Sequence, residues 1–252
     1  NGENDYYLVS AGAWTAYDYD FLQKAADDWM AEGKGHIDIH DITTQWGVYA
    51  LAGPNARALL KDLVKDADPE TVLSNKRFPW LSYRDIELGM CPVRAIRVAY
   101  TGELGWELHY PIEFGRYLWD LIWSVGAKHG LKAVGARAQN WLRQEKSYRA
   151  FGNELGRDAT PLEADLPRFV DLSKEFRGKA KMLETGIRAK CVTVLIDGPS
   201  DADPWGKESL IHDGIKVGRL TSGGYSVAFG KQIGMGYVPP ELAVVGQKLK
   251  VK

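Results

Sequence analysis

The chain has 252 residues, 45% of them hydrophobic, and its 32 basic and 33 acidic side chains leave a formal net charge of -1. That size holds one large domain or two to three small ones, and charges scattered without long blocks of one sign argue against a nucleic-acid or membrane surface. No apolar run reaches the roughly 18 to 20 residues of a membrane helix, no signal-peptide layout opens the chain, and the distant pair Cys91 and Cys191 supports neither a disulfide framework nor a thiolate metal site, which points to a reducing compartment.

Residues 6–10 read as a strand. The run from Tyr17 to Met30 reads as a helix with Phe21, Leu22, Ala25, Ala26 and Trp29 on one buried face, ended by Gly33 and Gly35. HIDIHDIT and WGVYALAG follow as strands, and Pro54 suits the first turn of a helix carrying Ala58, Leu59, Leu60 and Leu63. A strand pair is predicted at Val93 to Tyr100 and Trp106 to Tyr110, then helices near Phe114 to His129 and Gly135 to Tyr148. In the last helix Ala138, Trp141, Leu142 and Tyr148 form the buried stripe, Arg143 sits beside it with its guanidinium in reach of a pocket edge, and Arg137, Gln144 and Lys146 make a solvated set. From Ala189 onward short strands alternate with glycine turns. The expected fold is α+β: a mixed or antiparallel sheet with packed helices over residues 1–185, followed by a small β-barrel domain over 186–252. The polar start runs straight into a strand and GQKLKVK ends in unfinished alternation, so the chain reads as a piece cut at both ends, with the first domain lacking its N-terminal part and the second truncated.

No G-x-G-x-x-G, phosphate loop or G-x-S-x-G elbow occurs. His36, Asp38 and His40 share one face of a predicted strand, but a solvated face accounts for them better than a metal half-site, since further ligands are missing. The stretch YTGELGWELHYP is different: Gly102 and Gly105 permit a tight reversal, and Glu107 falls between apolar Trp106 and Leu108. A carboxylate so placed requires either an internal arginine or a ligand. It accepts two parallel hydrogen bonds from any edge presenting two N–H groups, as arginine or the 2-amino and N3 edge of a pterin does, and Tyr100 or Trp106 offers a face to a flat ring. On the chemistry alone both readings stay open.

The ordered series LAGPNARALL, YTGELGWELHYP, GARAQNWLRQEKSYRAFGNEL, TPLEADL, GRLTSGGYS and GMGYVPP resembles the tetrahydrofolate-binding domain of the glycine-cleavage T-protein (aminomethyltransferase) family over nearly the whole chain. AWTAYDYDFL and EKSYRAFGNELGRDATPLEADLPRFVDLSKEF look most like the C-terminal half of FAD-dependent dimethylglycine and sarcosine dehydrogenases. The resemblance implies a T-protein fold and tetrahydrofolate as cofactor. It implies capture of the carbon released from an N-methyl amine as 5,10-methylenetetrahydrofolate, and a partner FAD-binding oxidoreductase domain or subunit that carries the flavin. It also implies a cytoplasmic setting, or a mitochondrial matrix one in a eukaryote. Carried over residue by residue, Tyr100, Glu107 and Arg143 match folate-pocket positions, with Glu107 on the pterin edge; Phe169 falls near a lining aromatic and Tyr237 where the barrel domain approaches the cofactor. The family's catalytic acid maps upstream of Asn1, and SAGAW stands where glycine-cleavage proteins carry an asparagine. The alternatives are a stand-alone folate-dependent transferase or demethylase, and a non-catalytic folate binder of the iron–sulfur maturation type, whose K-G-C-x-x-G-Q-E segment is replaced here by KSYRAFGNE.

Overall fold

The structure is a computed structural model that describes residues 4–198 and 201–252. Helix α1 (Thr15–Ala31) takes up the first amphipathic run and ends in a Schellman pair, the Lys34 amide donating to the Trp29 carbonyl at 3.2 Å and the Gly33 amide to Met30 at 3.0 Å. Gly33 stands at φ +70°, an angle that glycine adopts without a Cβ penalty. The expected buried face does not form. Only Ala26 is buried, while Phe21 and Trp29 remain 45% and 44% exposed, each with a cation over its ring, Arg177 and Lys34 respectively.

Neither 6–10 nor 36–43 forms the expected strand. In the second stretch short side chains bond locally, His36 to Asp38 at 3.0 Å and the Thr43 amide to Asp41 at 2.9 Å, which competes with ladder pairing. The first crosses over a sheet instead of joining it. That sheet is built from β1 (Trp46–Ala52), then, after the short helices α2 (Ala56–Lys61) and α3 (Pro69–Val72), from β2 (Tyr83–Leu88), β3 (Cys91–Ile96) and β4 (Gly105–Pro111), all antiparallel in the order β1-β4-β3-β2. Alternation sends Leu51, Val93, Ala95, Trp106, Leu108 and Tyr110 to one face, where they meet Leu59 and Leu60 of α2 and Leu118 and Ile122 of α4 (Gly115–Gly126). The other face carries Val48, Ala50, Arg94, Ile96, Glu107 and His109. Strand β3 stops at Ile96, short of the expected Tyr100, because the Val98 amide turns back to the Ile96 carbonyl at 2.9 Å. The chain then reverses through Gly102 at φ +76°.

Helix α5 (Ala136–Glu145), an irregular stretch and α6 (Lys179–Thr185) lead to the second sheet, made of β5 (Lys190–Ile196), β6 (Ser209–His212), β7 (Ile215–Ser226), β8 (Lys231–Val238) and β9 (Lys250–Val251). Its strands are antiparallel in the order β5-β8-β7-β6-β9. Among the described residues they do not close into a ring: β9 lays two residues on β6, and β5 and β9 form the edges. The irregular stretch is anchored by a capping box, in which Thr160 N–H donates to Glu163 at 2.8 Å and the Glu163 amide to Thr160 Oγ1 at 3.2 Å. Arg188 clamps the same carboxylate through Nε at 2.8 Å and Nη2 at 3.0 Å, just ahead of β5.

The two sheets are joined by α5 on β7, and the buried stripe of that helix is not the expected one. Ala138 is exposed and Trp141 and Leu142 are half-buried, whereas Arg143 and Gln144 are fully buried. Two glycines of β7 allow so close an approach: a Cβ on Gly224 would lie 2.1 Å from Trp141 Cδ1, and Gln144 Nε2 donates to the Gly223 carbonyl at 3.2 Å. Gly224→Ala is therefore expected to displace the indole and lower stability by about 1–3 kcal/mol, as overpacking generally does; an unchanged urea midpoint would contradict this packing. No helix among the described residues is long and apolar enough to cross a membrane.

Candidate functional site

Two clusters of polar side chains stand out. The first lies on the face of the four-stranded sheet opposite the core. Period-2 alternation on β4 puts Glu107 and His109 on that face, with Ala50 of β1 directly opposite Glu107 and Val48 opposite His109. His109 is 1% exposed, covered by the crossing N-terminal segment: the Tyr7 ring meets it edge-on at 5.6 Å and the Tyr7 hydroxyl lies 3.0 Å from Nδ1. His109 Nε2 is 3.4 Å from Glu107 Oε2. Arg94 fixes the other side of Tyr7, its guanidinium 5.1 Å from the Tyr7 ring centre and 5.3 Å from that of Tyr83, while it holds Asp85 in a two-pronged bond at 2.9 and 3.3 Å. Burial raises the Tyr7 phenol above its ordinary range; Arg94 opposes this and the Glu107 charge adds to it. The Glu107 side chain is 32% exposed and its Oε1 has no hydrogen-bond partner among the described residues.

The second cluster fills the joint between the sheets. Arg143 and Glu154 form an ion pair at 2.7 Å with both side chains 0% exposed. The remaining Arg143 donors go to Asn140 Oδ1 at 3.0 Å, the Tyr148 carbonyl at 2.7 Å and Ser222 Oγ at 2.6 Å. Glu154 accepts in addition from the Thr221 and Ser222 hydroxyls, each at 2.6 Å, and from the Ala150 amide at 2.9 Å. Burial by itself would raise the Glu154 carboxyl, but those hydrogen bonds and the Arg143 charge outweigh it and hold the group below its usual value. Tyr237 donates to the Glu154 carbonyl at 2.7 Å, and Tyr100 donates to the Arg149 carbonyl at 2.9 Å with its ring stacked on Tyr148 at 6.3 Å. Burial pushes both phenols up, and it pushes the neighbouring Cys191 thiol up to about 11, so that thiol stays protonated at neutral pH.

The structure thus brings Tyr100, Arg143 and Tyr237 together around Glu154 and sets Glu107 apart on the open sheet face. No hydrogen bond, ion pair or ring contact among the described residues links Glu107 to those three. Arg143 does not reach a pocket edge as its place on the helix had suggested; Glu154 draws it inward, and protein acceptors occupy its fork. Phe169 lies at the surface, 57% exposed, under the Arg168 guanidinium at 4.7 Å. His36 and Asp38 are exposed and paired to each other, and no group of three or more His, Cys, Asp or Glu side chains among the described residues has metal-site geometry. Sequence reasoning passed over His109, although the alternation that singled out Glu107 places it two residues along the same face. It also passed over Tyr7 and Glu154, which carry no local signal.

The chain as a whole also has relatives among known proteins. The GCVT N-terminal domain matches residues 1–174, and the glycine cleavage T-protein C-terminal barrel domain matches residues 190–252. The chain belongs to the glycine-cleavage T-protein family. The mitochondrial dimethylglycine dehydrogenase of Mus musculus is 37% identical over 255 residues, covering 98% of this chain and 28% of that protein. The aminomethyltransferase of Desulfitobacterium hafniense (strain Y51) is 31% identical over 251 residues, 98% of this chain and 64% of the relative. Among solved structures, the glycine cleavage system aminomethyltransferase T of Bartonella henselae superposes with a TM-score of 0.68 at 26% identity, over 82% of this chain and 55% of that one. This T-protein chain therefore spans between about a quarter and two thirds of the length of those relatives.

Proposed function

We propose that the chain is the tetrahydrofolate-dependent one-carbon transfer unit of a dimethylglycine- or sarcosine-dehydrogenase-like enzyme, receiving a formaldehyde-level carbon from an FAD-binding oxidoreductase domain or subunit. The observation that carries this reading is Glu107: a carboxylate held on one side by His109, with no hydrogen-bond partner for Oε1 among the described residues and only the small Ala50 beside it on β1. Such a group fits the paired N–H edge of a pterin, because it presents acceptors and no donor. Bound folate would supply the nucleophilic nitrogen; the protein's part is to hold and orient it, which is mostly proximity and exclusion of wrong poses. In this reading Glu107 binds the ring edge. Tyr100, Arg143 and Tyr237 act through the polar joint around Glu154, and Phe169 is a surface aromatic.

The identity of 37% to a dimethylglycine dehydrogenase, against 31% to an aminomethyltransferase, favours the demethylating context over a stand-alone transferase. Flavin absent from the intact native protein would reverse that preference. For the pocket itself, calorimetric titration with 5-formyltetrahydrofolate is expected to give saturable binding that Glu107→Ala weakens by about 1–3 kcal/mol, the cost of leaving buried donors unpaired. Equal affinity of the variant and the parent would sink the assignment of Glu107.

A further inference from the structure

Glu107 does not stand alone on its strand. Its Oε2 faces His109 Nε2 at 3.4 Å, and the other ring nitrogen of that buried histidine faces the Tyr7 hydroxyl at 3.0 Å. An ionised carboxylate has no proton to give, so Nε2 must carry the hydrogen. With Nε2 protonated, a neutral imidazole leaves Nδ1 as an acceptor, and the Tyr7 hydroxyl is the donor it receives. The phenol is itself held in place: its ring touches Trp46 at 6.3 Å and lies under the Arg94 guanidinium, which Asp85 anchors. The order Tyr7 O–H to His109 Nδ1, His109 Nε2–H to Glu107 Oε2 is one directed chain, and it ends on a carboxylate whose other oxygen has no hydrogen-bond partner among the described residues. Resting on the assignment of Glu107 above, we infer that His109 and Tyr7 are positioning residues that set the rotamer of Glu107 and keep it an acceptor, making the site selective for a ring edge that presents two adjacent N–H donors.

The stiffness of the arrangement comes from its burial. A histidine 1% exposed between two partners does not rotate without leaving a ring nitrogen unbonded. A Glu107 side chain without that contact would be a half-exposed carboxylate with several rotamers, and each bound ligand would have to fix it anew. The 3.4 Å separation is long for an N–H···O bond, so the histidine acts on Glu107 as much by confining it as by bonding it. Tyr7 lies 102 residues before His109, so this selectivity depends on the N-terminal segment crossing the sheet.

The test uses the whole chain and two ligands, 5-formyltetrahydrofolate and its 2-desamino analogue, which lacks one of the two N–H donors. Tyr7→Phe keeps the ring and removes the hydroxyl, and is expected to weaken 5-formyltetrahydrofolate about 3- to 10-fold, as the loss of one buried hydrogen bond does, while changing the desamino analogue less than twofold. His109→Leu is expected to show the same contrast more strongly, and His109→Gln, which keeps an N–H toward Glu107, to recover most of the loss. Equal weakening of both ligands by Tyr7→Phe would reduce the pair to a structural role and overturn the inference. Wild-type discrimination in Tyr7→Phe and His109→Leu, alongside clear weakening by Glu107→Gln, would overturn it too while leaving the pocket assignment standing. Wild-type affinity in Glu107→Gln would remove both.

Discussion

Arg143→Ala is expected to destabilise the chain by about 3–5 kcal/mol, the usual cost of breaking a buried ion pair from one side. The substitution leaves Glu154 with no exposed side-chain surface and no cation, and withdraws donors from Asn140, the Tyr148 carbonyl and Ser222 at once. Because Ser222 lies on β7 and Tyr148 just past α5, the damage falls on the joint between the sheets and not on either sheet alone. Urea denaturation of the variant gives the measurement, and the double replacement Arg143→Met with Glu154→Leu should recover a large part of the loss, since an apolar pair of similar volume leaves no charge stranded. The same experiment separates two roles for Arg143. Weakened folate binding at an unchanged urea midpoint would mean a direct ligand contact; weakened binding together with a fallen midpoint is what the present geometry requires.

Acid is the second large lever. Arg188, and then the amides of Thr160 and Arg188, hold the Glu163 carboxyl at about 2, against burial, which acts the other way. A folded-state value depressed from 4.5 means that the stabilisation is fully present above about pH 4.5 and disappears as pH falls toward 2. Its size is about 2 to 3 kcal/mol, after discounting for the solvent around Arg188, whose side chain is 58% exposed. Glu163→Gln should therefore lower stability by roughly that amount at pH 7 and by progressively less below pH 4.5. Other carboxylates are also held below their ordinary values, Glu154 among them, so the informative quantity is the difference between wild type and variant at each pH. A difference that stays constant between pH 7 and 2.5 would rule out the clamp as the source.

The sequence carried most of the architecture because the elements involved are periodic. The helices over 15–31, 115–126 and 136–145 and the strand pair around Glu107 all follow from spacing that a single window contains. Where the reading failed, the deciding partner lay elsewhere. Strand formation at 36–43 lost to local Asp and His bonds, and the α1 stripe stays largely exposed, with only Ala26 buried. Arg143 reads as an edge residue until Glu154 and Ser222 are known to face it, and Ser222 is 79 residues away. Glu107 was legible as a carboxylate out of place between Trp106 and Leu108; the Tyr7 and His109 support for it was not, since half of it comes from the far N-terminus.

The polar joint between α5 and β7 has a kinetic consequence. The bonds from Arg143 and Gln144 to β7 connect positions 79 residues apart, so they are expected to form late, after both strands and helix are in place. A leucine-lined seam would tolerate sliding during that search, but this one must strip water from a guanidinium and a carboxylate together, and any misaligned approach leaves one of them dry and unmatched. Docking of the second sheet is then expected to be a slow step of folding, and one that tolerates little misalignment.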